Sequence, residues 1–131
     1  MNQPFAQLNL LAAWLGILLG FGSGVLLGTW FHKEDWLGGY ASHIRRLYRL
    51  GHISFFGLAM VNLMFYVTAR SLAWGSGAAM VASWGFIAGA VSMPVCCLIM
   101  AHRPRLRALF LIPVLSLMTG GAVTLWEVAK A

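Results

Sequence analysis

His32, His43, His52 and His102 are the imidazoles of this 131-residue chain, Glu34, Asp35 and Glu127 its carboxylates, and Cys96 and Cys97 its thiols. No carboxylate lies inside a long apolar stretch, so the intramembrane acid through which a proton-coupled carrier exchanges protons is missing. A small transporter or channel ranks third among the functions considered. Zinc hydrolysis on a helix uses His-Glu-x-x-His, and covalent hydrolysis joins a Ser or Cys to a nearby base. Neither spacing occurs, and the chain is expected not to be an enzyme.

Two of the imidazoles offer other chemistry. His52 falls about one turn inside the second apolar stretch and His102 ends the third, so the two rings are expected at similar depth on neighbouring helices. Axial imidazoles placed in this way hold haem b in membrane cytochromes. Arg45, Arg49, Arg103 and Arg105 would then lie where propionates need cations. The same set could receive a quinone headgroup or an anionic phospholipid. The ordinary alternative is a histidine that bonds a headgroup, a carbonyl or a neighbouring subunit at the membrane surface. Met93, Cys96, Cys97 and Met100 recur at steps of three and four, as soft donors for Cu(I) would. Such residues also pack apolar cores, and without a Cys-x-x-Cys pair or a second Met-rich helix no metal is expected. Adjacent cysteines on a helix are poorly placed to pair, so both thiols should be free.

The elements that carry these groups follow from composition. Sixty per cent of the residues are hydrophobic and 9% charged, outside the range of ordinary soluble domains. Crossing a hydrocarbon core of ~30 Å takes roughly 20 apolar residues, and the charge-poor stretches give four spans at about 10–31, 50–69, 77–101 and 108–126. Residues 1–131 therefore read as one all-α, four-helix transmembrane domain with antiparallel neighbours. Residues 1–8 hold no basic residue and precede an apolar run too long for a signal peptide, so the first span is expected to be retained.

Lys33, Arg45, Arg46 and Arg49 fall in the first connection, residues 32–49. Arg103, Arg105 and Arg107 fall in the third, residues 102–107, and only Arg70 and Lys130 lie on the other side. This bias places both basic connections in the cytoplasm and both termini outside, with a bacterial cytoplasmic (inner) membrane as the expected location. The net charge of +6 is thus a topology signal and not a nucleic-acid footprint. Arg45, Arg46, Arg49, Arg103, Arg105 and Arg107 are expected to contact anionic lipid headgroups. Ser42 can cap a helix whose Arg-rich side lies in the interface, or that segment is the start of the second span itself.

Small residues supply the packing faces. Ala12, Gly16, Gly20, Gly24 and Gly28 recur every four residues in the first span, which suits close helix contact within the chain or with another protein. Ala78, Ala82, Gly85, Gly89 and Ser92 form a second row, and Ser116, Gly120 and Thr124 a third. Asn62, in mid-span, needs a hydrogen-bond partner and should tie helices together. These faces point to a small accessory subunit of a larger membrane complex, of the respiratory or photosynthetic, energy-transducing kind, working by helix packing and lipid contact. The alternative is a haem- or quinone-binding electron-transfer subunit built on His52 and His102.

Overall fold

A computed structural model of the chain describes residues 4–131. It is all-helical, with four long helices: α1 (Pro4–Trp30), α2 (His43–Ser71), α3 (Ser76–His102) and α4 (Leu111–Lys130). Short 3-10 turns at Trp36–Gly38 and Pro104–Phe110 precede α2 and α4, and no strand occurs among the described residues. Four segments, Phe5–Trp30, His43–Ser71, Ser76–His102 and Pro104–Lys130, are long and apolar enough to cross a membrane. The chain is a multi-pass membrane protein by that measure.

Two helices, α1 and α2, begin well before charge-counting suggests. α1 starts six residues before Leu10 because Gln7 and Asn9 are polar but uncharged, and neither breaks a helix. α2 starts at His43, where the Ser42 hydroxyl accepts the Arg45 N–H at 3.1 Å. It then runs without a break to Ser71, so the Arg-rich segment is the first turns of α2 and not a separate interfacial helix. The chain turns into it through Leu37, Gly38 and Gly39, all at positive φ (53°, 82° and 90°). Glycine adopts that conformation freely, and Leu37 is the one side chain obliged to follow.

α1 packs on α2, α2 on α3, and α3 on α4, with a lesser α1–α3 contact. α4 therefore flanks α3 instead of closing a ring. Backbone proximity sets these contacts. A Cβ on Gly16 would lie 3.1 Å from the Phe55 carbonyl oxygen of α2, and one on Gly85 would lie 2.8 Å from the Ser116 carbonyl oxygen of α4. Gly20 faces the Phe56 ring, Gly24 the His52 ring, and Gly89 the Leu117 side chain, whereas Gly28 faces open space.

At one end of the molecule Ala6, Phe65, Ala69, Trp74, Ala79, Ala82 and Phe86 form the apolar core. Phe65 meets Trp74 edge-on at 5.6 Å and Phe86 at 5.4 Å. Next to it, a fully buried polar node ties three helices. The Asn9 amide donates to Asn62 Oδ1 at 2.8 Å and to the Ser83 carbonyl at 3.3 Å, and the Ser83 hydroxyl donates to Asn9 Oδ1 at 2.5 Å. Asn62 spends its own N–H groups on the Leu58 and Phe86 carbonyls. Every side-chain amide atom in the node is thereby satisfied, as low-dielectric surroundings require. At the other end, Tyr48 near the start of α2 bonds His102 at the end of α3. Both basic connections meet there, and it is called the basic end below.

Candidate functional site

α1 and α3 touch only lightly, and the cleft between them is floored by α2. Its wider part is an apolar cavity of about 510 Å³ walled by Leu11, Leu15 and Leu19 of α1, Phe55 and Leu58 of α2, and Trp84, Val91 and Val95 of α3. The α1 leucines, Trp84, Val91 and Val95 are all exposed, so the cleft opens sideways, toward lipid. Ala12 and Gly16 line it too, since the absence of bulk leaves the room. A second cavity of about 220 Å³ adjoins it toward the basic end, lined by Ser23, Leu27, Tyr48, Gly51 and His52. Phe55, Pro94 and Leu98 line both, so the two form one groove. Its α1 lining runs from Leu8 to Leu27, nineteen residues on and about 28 Å at the helical rise.

The narrow end carries the polar groups. His52 is half-buried, with Nδ1 2.9 Å from the Ser23 hydroxyl of α1. Its ring lies over Gly24, where a Cβ would come within 3.0 Å of Cε1, and stands at 88° to Phe56. Glycine at position 24 is what lets the imidazole reach α1. Tyr48, one turn before His52, sends its hydroxyl to His102 Nε2 at 2.9 Å and meets that ring edge-on. Pro94 has no N–H for the Ala90 carbonyl, so the α3 wall carries a backbone acceptor without its helical donor.

His52 and His102 lie at the same end of the molecule, yet each has a different neighbour: Ser23 for the first and Tyr48 for the second. His102 does not line the cavity that His52 lines. The Nε2 that would ligate iron in His102 is the atom bonded to Tyr48, so the pair does not face across a shared space as bis-imidazole ligation of haem requires. His32 and His43 are exposed.

The expected Arg45 role is corrected by its surroundings. The side chain is 3% exposed. Its guanidinium donates to the Phe31 carbonyl at 3.2 Å and the Glu34 carbonyl at 3.5 Å, between the rings of Phe31, Trp36 and Tyr40. It clasps the first connection onto α2 and is held away from headgroups and propionates alike. Arg49 stacks on Tyr40 at 4.3 Å and donates to its carbonyl at 3.5 Å. Arg46, Arg103, Arg105 and Arg107 are exposed on the basic end.

The thiols do not form a soft-metal cluster. Cys96 donates to the Leu109 carbonyl ahead of α4 at 3.4 Å, while Cys97 packs on Gly51 of α2. Both are free and buried. Among the described residues no three of His, Cys, Asp and Glu gather. Ser23, Tyr48, Asn9 and Ser83 are the residues that reading by spacing missed. Tyr48 carried a usable signal, four residues before His52 and so on the same face. Ser23 carried a fainter one, a hydroxyl between Gly20 and Gly24.

Compared with protein families, characterised proteins and solved structures, the chain shows no significant similarity to any.

Proposed function

We propose that the chain is a small membrane subunit whose α1–α3 groove holds a long-tailed membrane amphiphile, with its polar head at His52. The observation that carries this reading is the groove itself. An apolar, laterally open groove about 28 Å long carries Ser23, Tyr48 and His52 at its narrow end, and that polarity pattern complements a molecule with one tail and one hydrogen-bonding head. In the same reading neighbouring helices are antiparallel, both termini lie outside and the basic end is cytoplasmic in a bacterial inner membrane. The distribution of Lys and Arg supports that orientation. The head then sits about one turn below the cytoplasmic surface. A role as accessory subunit of a larger, energy-transducing assembly goes with it, since the groove presents its contents sideways to a neighbour.

The test is to purify the protein in mild detergent and identify the lipids that stay bound by mass spectrometry. Wild type is expected to retain a tailed amphiphile near one per chain, and Val91→Trp, which fills the trough from a lipid-exposed position, is expected to lose it. Equal retention by both would refute the groove as a binding site. A dithionite-reduced α-band that disappears in His52→Leu would replace this reading with haem ligation.

A further inference from the structure

Resting on the groove reading, we infer that the amphiphile's head is a quinone: an uncharged ring bearing hydrogen-bonding oxygens, received by His52. Charge decides first. No Lys, Arg, Asp or Glu lines the narrow cavity. Of the α2 cations near it, Arg49 is committed to Tyr40 and Arg45 is buried against the first connection. A phosphate or carboxylate head would therefore enter a low-dielectric pocket without a counter-ion, and an ammonium head would find no carboxylate, so either would be left desolvated and unpaired. A neutral head pays no such penalty.

The hydrogen-bonding pattern agrees. The Ser23 hydroxyl has a single proton and the Gly20 carbonyl 3.1 Å away to take it. With that proton so engaged, its lone pair accepts Nδ1–H of His52 in the tautomer that carries its proton on Nδ1. Nε2 is left with a lone pair and no hydrogen bond among the described residues. That nitrogen accepts from a hydroquinone O–H in this tautomer, and in the other neutral tautomer, with the Ser23 hydroxyl turned to donate to Nδ1, it donates to a quinone carbonyl, so one uncharged group serves both forms of the head. Size points the same way. The narrow cavity of about 220 Å³ is below the usual ligand-pocket range of roughly 300–1,000 Å³, and admits a single ring with its tail leaving through the trough. Leu27, Phe55, Pro94 and Leu98 wall it with apolar surface suited to a ring face.

The experiment uses the full chain in detergent micelles with a benzoquinone bearing a ten-carbon tail, and measures the quinone that co-elutes with protein on gel filtration. Phosphatidylglycerol and oleate serve as charged competitors. Wild type is expected to retain the quinone against either competitor. His52→Leu should bind about tenfold more weakly, the loss of one hydrogen bond, and His52→Gln, which keeps a donor and an acceptor, should recover most of it. Unchanged helical circular dichroism and elution volume certify that the variants are folded. If folded His52→Leu binds as wild type does, the inference is overturned. If phosphatidylglycerol or oleate displaces the quinone and is itself lost in Val91→Trp, the quinone inference falls and the groove reading stands. If Val91→Trp alters the binding of none of the three, the groove reading falls as well.

Discussion

Gly85→Ala gives the sharpest prediction about how α4 is held. The added Cβ would stand 2.8 Å from the Ser116 carbonyl oxygen and 3.0 and 3.1 Å from the Gly120 nitrogen and Cα. Carbon and carbonyl oxygen approach comfortably to about 3.3–3.6 Å. All three obstructing atoms are backbone, so no rotamer relieves the clash and α4 must retreat by about 0.5 Å. A gap of that size forfeits roughly a quarter of each affected dispersion contact, and α4 has no other main partner to compensate. Overpacking of this kind costs about 1–3 kcal/mol. Replacing glycine by alanine in a helix returns about 1 kcal/mol, so the comparison must cancel that gain. Gly22→Ala does so, because a Cβ there meets nothing within 4 Å. The two variants are unfolded by titrating dodecyl sulfate into mixed micelles, with helix content and an α3–α4 fluorescence-transfer pair as readouts. Gly85→Ala is expected to be less stable than Gly22→Ala by about 1–3 kcal/mol, with the α3–α4 signal lost first. A difference under about 0.5 kcal/mol, the scatter of unremarkable surface changes, would refute backbone-to-backbone packing of α3 on α4.

Three further outcomes follow from the same geometry. Asn62→Leu removes the acceptor of the Asn9 amide and should cost about 1 kcal/mol, and an Asn9→Ala/Asn62→Leu cycle should show a coupling of about 0.6–1.7 kcal/mol; additive effects would mean the two side chains do not meet. Arg45→Lys cannot both stack on the rings of Phe31 and Trp36 and fork to two carbonyls. It should weaken the clasp by about 1.5–3 kcal/mol and speed amide exchange at Trp36–Gly39, where unaltered exchange would show that the guanidinium is not what holds the connection. Gly24→Ala puts a methyl 3.0 Å from His52 Cε1, so it should reduce quinone retention while leaving Gly20 and Gly16 in contact with α2. Wild-type retention would show that the imidazole does not depend on resting against α1.

The four spans were legible because hydropathy is a sum over single residues and needs no knowledge of neighbours. The small-residue row of α1 was legible only in part. Steps of four on a helix of 3.6 residues per turn drift about 40° each, so five positions cannot all face one partner. Gly16, Gly20 and Gly24 meet α2, Ala12 has turned to line the groove, and Gly28 has turned to open space. Arg45 was misjudged for a related reason. Its place on the helix surface follows from the sequence, but its burial depends on the path of the first connection through left-handed Leu37, Gly38 and Gly39, which brings rings and carbonyls down onto it.

The site shows where one-dimensional reading stops. A histidine inside an apolar stretch announces itself, and Tyr48, one turn from His52 and bonded to His102, puts both at one end. Which nitrogen is free, however, is fixed by the partner of the other nitrogen, and that partner comes from the register between helices. A one-residue slip of α1 would carry Ser23 about 100° around the helix and away from Nδ1, and the same slip would move Gly24 from under the ring. Hydroxyl and glycine are therefore useful to His52 only together and only in this register. The close Gly16–Phe55 and Gly20–Phe56 approaches two and one turns away hold that register. The glycine row thus does more than bring two helices together: it sets the axial position at which an imidazole meets the Ser23 hydroxyl on one side and faces an uncharged cavity on the other.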